Sequence, residues 1–245
     1  MSELTAQVVV VAKENLTTTV ESVESLIANT PGLSLIAIDN ASKDPGILSF
    51  FKDTAEIVVR NNKQVSLAQA WNQGVHLSTA PAIVITNNDI LYAPGWLPPI
   101  VEGLQDTRIG ILQPFNTLSG KPADFPHNYK SENRIGDIPR ATNFVGCCFG
   151  FRRETYDAVE RLQAEIAGRA VGGFDSRFYP FGTEDVDFYQ LVKELGGSAQ
   201  THFGSYIHHY TGRTMDLLYT RDEFHAHQDR CTAMFHAKHN GRKKQ

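Results

Sequence analysis

Short, continuous apolar runs alternate with amphipathic segments along the first half of the chain. The runs are rich in Val and Ile, as in strands that are covered on both faces, and they lie at residues 7–12, 33–38, 56–60 and 82–86. Apolar residues at helical spacing predict helices around residues 20–27, 47–52 and 66–76. Strand, helix, strand at these intervals predicts right-handed βαβ units and a parallel sheet.

The second half is less regular but still alternates between helical and extended patterns. We predict helices at residues 96–105, 154–167 and 184–195, strands at 109–113, 143–152 and 199–207, and a polar helix or helix pair at 217–239. Thr183 is the expected N-cap of the third helix, which Gly196 ends. Residues 116–140 are rich in Pro, Gly, Asn and charge, and so predict a long loop of the kind that is usually functional or mobile.

The strand predicted at residues 82–86 is followed directly by Asn87, Asn88 and Asp89. Ligands of open α/β sheets bind at the carboxyl ends of the strands, so Asp89 would offer a hard oxygen ligand there. A polar turn that closes the strand would explain the same residues. The chain has neither G-x-G-x-x-G nor a P-loop, so a bound nucleotide would have to be held by something other than a glycine-rich loop.

Composition is that of an ordinary globular protein, with 41% apolar and 20% charged residues among 245, and we expect one catalytic domain. The net charge of −4 argues against a protein that binds nucleic acid over its whole surface. With no apolar run long enough to span a bilayer and no signal peptide, we expect a cytoplasmic protein with no integral membrane segment. Cys147, Cys148 and Cys231 are expected to be reduced and buried.

Eight short motifs occur in a fixed order between residues 7 and 215. They are Ile36-Ala37-Ile38-Asp39-Asn40-Ala41-Ser42-Lys43-Asp44, Asn61-Asn62, Ala68-x-x-x-Asn72-x-Gly74, Asn87-Asn88-Asp89 with Pro94-Gly95-Trp96-Leu97, Gly146-Cys147-Cys148-Phe149-Gly150-Phe151-Arg152-Arg153, Gly172-Gly173-Phe174-Asp175, Glu184-Asp185-Val186-Asp187, and His209-x-x-Gly212-x-Thr214. Their order resembles family 2 glycosyltransferases of the GT-A fold, and most nearly the rhamnosyltransferase-like branch.

The resemblance implies an α/β fold with a mixed central sheet flanked by helices. It places a GT-A domain at residues 1–215 and leaves residues 216–245 as a C-terminal helical extension with a basic tail. His225, His227, His236 and His239 of that extension are interpreted as a solvated helix face.

The resemblance also implies a metal-dependent, inverting transferase that moves a hexosyl or pentosyl group from a nucleotide-diphosphate sugar to an acceptor hydroxyl. Asp185 would be the general base and Glu184 its neighbour in contact with the acceptor. Asp89 and His209 would bind Mn²⁺ or Mg²⁺, with the donor filling the other positions. His208 is the alternative ligand, because adjacent strand residues point to opposite faces. The acidic cluster could instead only complement the dipole of its helix.

Donor contacts are expected from six residues at the strand ends and on one helix. They are Asp39, Asn40, Asn72, Asn87, Asn88 and Asp89. Asp39 would accept a hydrogen bond from the nucleobase, although an Asx turn with Asn40 and Ser42 explains it equally well. Asn87 stands where the metal motif of the resembled family usually has an acid. The lone basic residues Lys13 and Arg60 are left unassigned.

Three aromatic residues are candidates for stacking on an acceptor sugar, namely Trp96, Phe125 and Tyr129. Core packing is the better explanation for Trp96 than for the two loop residues. The acceptor is expected to be a glycan, while a modified nucleic-acid base is a minority hypothesis that rests on basic residues of the long loop and the tail. Two rival hypotheses are a nucleotidyltransferase and a non-catalytic nucleotide-sugar binder. The oligomeric state is left open, including a homo-oligomer.

Overall fold

The computed structural model describes residues 5–117, 132–138, 144 and 146–240. The described strands are β1 (Ala6–Ala12), β2 (Leu35–Asp39), β3 (Ile57–Arg60), β4 (Ala82–Asn87), β5 (Ile90–Tyr92), β6 (Ile109–Thr117), β7 (Ile135–Asp137), β8 (Cys148–Arg152) and β9 (Ser198–His209). The described helices are α1 (Leu16–Ala28), α2 (Pro45–Thr54), α3 (Leu67–Leu77), α4 (Leu97–Gly103), α5 (Arg153–Ala167), α6 (Glu184–Glu194), α7 (Met215–Leu218) and α8 (Arg221–His239). The strands form one mixed sheet in the order β3-β2-β1-β4-β8-β6-β9-β5, with β7 paired to β9.

The N-terminal half is the predicted parallel βαβ arrangement. Strands β1, β2, β3 and β4 are parallel, and their register aligns Ala12 with Asp39, Asp39 with Arg60, and Val11 with Asn87. Alternate residues of these strands enter two separate apolar cores, one on each face of the sheet. The polar residues that follow the strands therefore meet at one edge, as the sequence predicts.

The C-terminal half makes the sheet mixed, because β8 is antiparallel to both β4 and β6, while β9 runs parallel to β6. The sequence analysis missed β5 and β7, which have three residues each and therefore show no periodicity of their own. Both are antiparallel partners of β9. Pairing with β6 and β5 carries β9 through His208 and His209, two residues beyond the predicted strand end at residue 207.

The C-terminal extension is helical as predicted, and His225 and His236 are exposed, but the predicted solvated face does not include His239, which is buried. Lys238 is 5% exposed, and its Nζ lies 2.8 Å from Asp187 Oδ2 and 3.0 Å from Asp175 Oδ2. The Nε2 atom of His239 lies 2.8 Å from Asp187 Oδ1. The buried carboxylates compensate the cost of burying these two polar side chains. The sequence pattern of α8 alone could not reveal these partners, because they lie on other elements. The division at residue 215 stays a prediction.

The three cysteines are free and buried, which confirms the prediction. Within the part of the chain that the structure describes, no helix has the length and apolar character required to traverse a bilayer.

Candidate active site

A cleft of about 280 Å³ opens at the edge where the carboxyl ends of the parallel strands meet. Five of the predicted donor and metal residues line it, namely Asn40, Asn87, Asn88, Asp89 and His209. The opposite wall comes from residues 211–228, which lead from β9 into α8. The cleft therefore joins residues of the two halves of the chain that the sequence separates by more than 100 positions.

Asp89 and His209 are brought together by the β5–β9 ladder, in which Ile90 lies opposite His209. The backbone N–H of Tyr210 donates to the carbonyl of Asp89 over 3.0 Å, which fixes the strand ends side by side. The Nε2 atom of His209 lies 3.1 Å from Asp89 Oδ1, and both side chains are buried. Among the described residues, Asp89 Oδ1 has no partner besides His209, and His209 Nδ1 makes no hydrogen bond of regular geometry. Buried polar atoms without partners are rare and call for an explanation such as a bound ion.

The chemistry of this pair fits a divalent cation that is shared with a bound phosphate. Burial lowers the pKa of His209, but Cys147 and Asp89 outweigh it and raise that pKa to about 10, so the imidazole is held as a cation. A metal ion would take the place of this positive charge next to Asp89. Within residues 5–117, 132–138, 144 and 146–240, no group of three or more His, Cys, Asp or Glu side chains could hold a metal. Two protein ligands require that a donor phosphate supplies further oxygens.

His208, the alternative ligand, lies on the opposite face of β9. Its Nδ1 atom is 3.1 Å from the hydroxyl of Thr117, and its ring contacts that of Tyr210 edge to face. It does not line the cleft, whereas His209 does.

Asp39 is fully buried at the end of β2, where it organises the loop that follows. The Ser42 N–H donates to its Oδ1 over 2.9 Å, and Arg60 pairs with its Oδ2. These contacts match the turn that the sequence also allowed, and Asp39 does not line the cleft. The predicted contact with the nucleobase stays a prediction. The neighbouring Asn40 does line the cleft and holds the backbone of Val65 through both its amide nitrogen and its amide oxygen.

Besides Asp39, four predicted site residues do not line the cleft, namely Asn72, Trp96, Glu184 and Asp185. Asn72 is buried on α3, where its amide donates to Phe174 O over 2.7 Å and accepts from Phe174 N and from the Tyr156 hydroxyl. Trp96 is completely buried beside Tyr92, and its Nε1 donates to Thr30 over 2.9 Å. The ring of Trp96 is therefore part of the core and offers no face to an acceptor.

The remaining acceptor candidates, Phe125 and Tyr129, lie outside the described residues.

The first turn of α6 carries the predicted acidic cluster. Thr183 precedes the helix as predicted, but its backbone is left-handed (φ 67°) and its side chain makes no capping hydrogen bond, which corrects its predicted role. Glu184 instead accepts from the backbone N–H of Gly182. Burial and the neighbouring Asp185 raise the pKa of Glu184 to about 8, so Glu184 is predominantly protonated at neutral pH.

Asp185 accepts backbone hydrogen bonds through both of its carboxylate oxygens. Its Oδ2 accepts from Gly146 N over 2.9 Å and its Oδ1 from Val186 N over 2.8 Å. Burial raises the pKa of Asp185, and these two N–H groups act against that rise. Asp187, in contrast, is fully buried and bound to Gln163, Lys238 and His239, as expected for a structural residue.

Two parts of the cleft were not found by sequence reasoning. Lys13 lines the cleft and donates to Ala41 O over 3.1 Å, although a lone basic residue at a strand end was left unassigned. Burial lowers the pKa of Lys13. The second part is the wall from residues 211–228, in which Tyr219 and Phe224 pack their rings on Phe181. The aromatic residues at 219 and 224, within an otherwise polar segment, were the available signal.

Comparisons with known proteins identify the family and the fold. The family model for "Glycosyl transferase family 2" matches residues 7–160, more than half of the chain. No curated protein matches the chain. The fold is that of GT-A glycosyltransferases, as two similar solved structures show.

One of these structures is GalNAc-T7 with UDP, GalNAc and Mn²⁺, with a TM-score of 0.65 and 17% identity over 84% of this chain and 43% of that one. The second is the mannosyltransferase PcManGT from Pyrobaculum calidifontis with GDP-Man and Mn²⁺, with a TM-score of 0.66 and 18% identity over 98% of this chain and 65% of that one. The chain thus spans less than two thirds of the length of either protein. The rhamnosyltransferase-like branch stays a prediction.

Proposed function

The chain belongs to glycosyl transferase family 2, and from that premise we propose that it is a metal-dependent, inverting enzyme. It transfers a sugar from a nucleotide-diphosphate donor to an acceptor hydroxyl. The observation that carries the proposal is the cleft in which the buried side chains of Asp89 and His209 lie 3.1 Å apart, and in which Asp89 Oδ1 has no further partner among the described residues.

The metal assignment is supported by the donor set and by the neighbours in fold. Asp89 and His209 would hold Mn²⁺ or Mg²⁺ jointly with the donor pyrophosphate. When bound, the ion would stabilise the charge that builds on the leaving phosphate. Mn²⁺ is present in both similar structures, which also contain nucleotide or nucleotide-sugar ligands.

The chain's own residues divide the remaining work between donor and acceptor. Lys13 brings a positive charge to the donor side of the cleft, and Asn87 and Asn88 offer amide groups for hydrogen bonds to the donor. Asp185 removes the proton of the acceptor hydroxyl as that oxygen attacks the anomeric carbon from the face opposite the leaving phosphate. The carbon–oxygen bond to the donor phosphate breaks as the new glycosidic bond forms, and the product has the inverted anomeric configuration.

The assignment of the base to Asp185 rather than Glu184 follows from their environments. Both carboxylates accept backbone hydrogen bonds, two at Asp185 and one at Glu184 from Gly182. Burial and the adjacent Asp185 nevertheless raise the pKa of Glu184 to about 8, so that Glu184 is the member of the pair that holds a proton at neutral pH. Neighbouring carboxyl groups with separated pKa values can take different roles in one site. Glu184 can then donate a hydrogen bond to the acceptor.

The test is transfer or hydrolysis across a panel of nucleotide sugars, with Mn²⁺ and with EDTA, in the wild type and in Asp185→Asn. We expect activity only with the metal, and a fall in kcat of about 10²–10⁴-fold in Asp185→Asn, the usual contribution of a general base. Binding of a nucleotide diphosphate with Mn²⁺ should be retained in that variant. NMR of the product should show the anomeric configuration opposite to that of the donor.

Asp187→Asn is unsuitable as the matched control because Asp187 is buried in an ion-pair network, so Asp216→Asn, on α7, serves instead. Undiminished turnover in Asp185→Asn would remove the base assignment. Turnover that is equal in EDTA would remove the metal assignment.

A further inference from the structure

Gly146 lies at the junction of three parts of the proposed site. Its N–H donates to Asp185 Oδ2 over 2.9 Å, which joins it to the first turn of α6. The carbonyl of the next residue, Cys147, accepts from Asn87 N over 2.8 Å at the end of β4. The Cys147 side chain in turn lies within hydrogen-bonding reach of His209. One dipeptide thus contacts the proposed base, the strand that carries Asp89, and the second metal ligand.

A side chain at position 146 would collide with Asp185. A Cβ built on Gly146 would lie 2.4 Å from both Cβ and Oδ2 of Asp185 and 2.7 Å from its Cγ. Contacts below 3.0 Å are essentially never made by real Cβ atoms, and the Cβ of Asp185 belongs to its helix and cannot swing away. The backbone of Gly146 is not in the left-handed region. Glycine is therefore required at position 146 because a larger residue would collide with Asp185, and not because of its backbone conformation.

We propose that Gly146 is a positioning residue for Asp185. Its N–H orients the Asp185 carboxylate, and its lack of a side chain leaves the space that Asp185 occupies. The proposal rests on the proposed function, because it assumes that Asp185 is the base. A base displaced by 1 Å from its acceptor can lose about 10²-fold in rate. Gly146 itself touches neither donor nor acceptor in this role.

The Gly146 N–H also favours the ionised form of Asp185, because a hydrogen bond to a carboxylate stabilises its charge. Loss of this bond would raise the pKa of Asp185. A base acts only when ionised, so the acid limb of the kcat profile would move to higher pH. Among the described residues, the ionisable group that interacts with Asp185 is Glu184, which Asp187 of the same helix also influences.

The experiment measures kcat, KM and the pH profile of Gly146→Ala, with Gly136→Ala on β7 as the matched control. The nearest atom to a Cβ at 136 is the tip of the flexible Arg134 side chain, at 3.2 Å, so the control should behave as the wild type. For Gly146→Ala we expect kcat to fall about 10²-fold, the acid limb to move to higher pH, and the KM of the donor to stay within about twofold of the wild type, since donor binding does not use Asp185.

The double variant Gly146→Ala with Asp185→Asn separates this role from a general loss of structure. If Gly146 acts through Asp185, the double variant should be no slower than Asp185→Asn alone, because coupled residues are not additive. Losses that multiply would overturn the proposal. An unchanged kcat and pH profile in Gly146→Ala would also overturn the proposal, provided that Asp185→Asn is inactive. If Asp185→Asn is itself active, the assignment of Asp185 as the base is wrong instead.

Gly146→Ala could also fail to fold. In that event Gly146→Ala is combined with Asp185→Gly, which removes the side chain that the new Cβ would meet. Recovery of the melting temperature would support the contact, and no recovery would overturn it.

Discussion

The amide of Asn72 shows what a single buried polar side chain can do for the fold. It makes three hydrogen bonds, two to the backbone of Phe174 and one to the hydroxyl of Tyr156. Its amide nitrogen also lies only 2.0 Å from where a Cβ of Gly172 would be, so that the turn at 172–175 is packed directly on it. Through these contacts Asn72 connects α3 to that turn.

We predict that Asn72→Ala lowers the free energy of unfolding by about 2–3 kcal/mol, because it leaves buried backbone groups and a hydroxyl without partners. Binding of a nucleotide diphosphate with Mn²⁺ to the folded fraction should be unchanged. Urea denaturation measures the first quantity and calorimetry the second. Gln69→Ala, at an exposed site on the same helix, is the control and should stay within about 0.5 kcal/mol of the wild type. If Asn72→Ala had normal stability but bound the nucleotide more weakly, Asn72 would be a donor contact, as expected from the sequence.

Residues that follow strands were easier to predict than residues on helices. Asp89 comes two residues after β4 and His209 is the last residue of β9, and ladder pairing in a sheet then determines their distance. Asn72 and Trp96 lie in helical or turn segments, where the motif gives the residue type but not the direction of the side chain. The hydrogen bonds that fix those directions come from Phe174 and Thr30, which are distant in sequence and cannot be read from spacing.

At the scale of elements, helix α8 is attached by two different kinds of contact. Its beginning is closed by a capping box between Thr220 and Glu223, and Phe224 packs on Phe181 at the cleft. Its end is held by Lys238, whose ammonium group is buried between Asp175 and Asp187. Asp187 lies two residues after the proposed base. The helix that forms one wall of the cleft is therefore tied to the helix that carries Asp185.

We predict that Lys238→Met lowers the free energy of unfolding by about 2–3 kcal/mol, because it removes the charged hydrogen bonds of Lys238 to Asp175 and Asp187 and leaves these carboxylates with only Arg177 and His239 as cationic partners. The amide hydrogens of α8 should exchange faster, and the KM of the donor should rise because the wall at 219–228 loses its support. Hydrogen exchange with mass spectrometry measures the first effect and steady-state kinetics the second.

Lys52→Met, at an exposed site on α2, is the matched control for that variant and should change neither property. Unchanged protection of α8 in Lys238→Met would contradict the assigned attachment.

For the molecule as a whole, the parallel half of the sheet was predictable because each of its strands contains a run of three or more apolar residues between breakers. The antiparallel half was less so, because β5 and β7 are strands only through their pairing with β9. The antiparallel half supplies His209. The complete site therefore depends on strand pairing between distant segments, which is the feature that sequence patterns predict least well. Folding and assembly of the site are thus one event, and ligands of the site should stabilise the whole chain.

Thermal unfolding in the presence of ligands tests this link between fold and site. A ligand that binds only the folded state at 100 times its Kd stabilises it by about 2.7 kcal/mol, which for a chain of this size corresponds to a rise of about 5–10 °C in Tm. Because only two described protein side chains would hold the metal, we predict that Mn²⁺ and a nucleotide diphosphate together raise Tm by more than the sum of their separate effects. His209→Ala should abolish this excess, and EDTA should do the same in the wild type. His208→Ala, on the opposite face of β9, should keep it. If Mn²⁺ alone produced the full shift, the protein would bind the metal without help from the donor, and the shared site would be wrong.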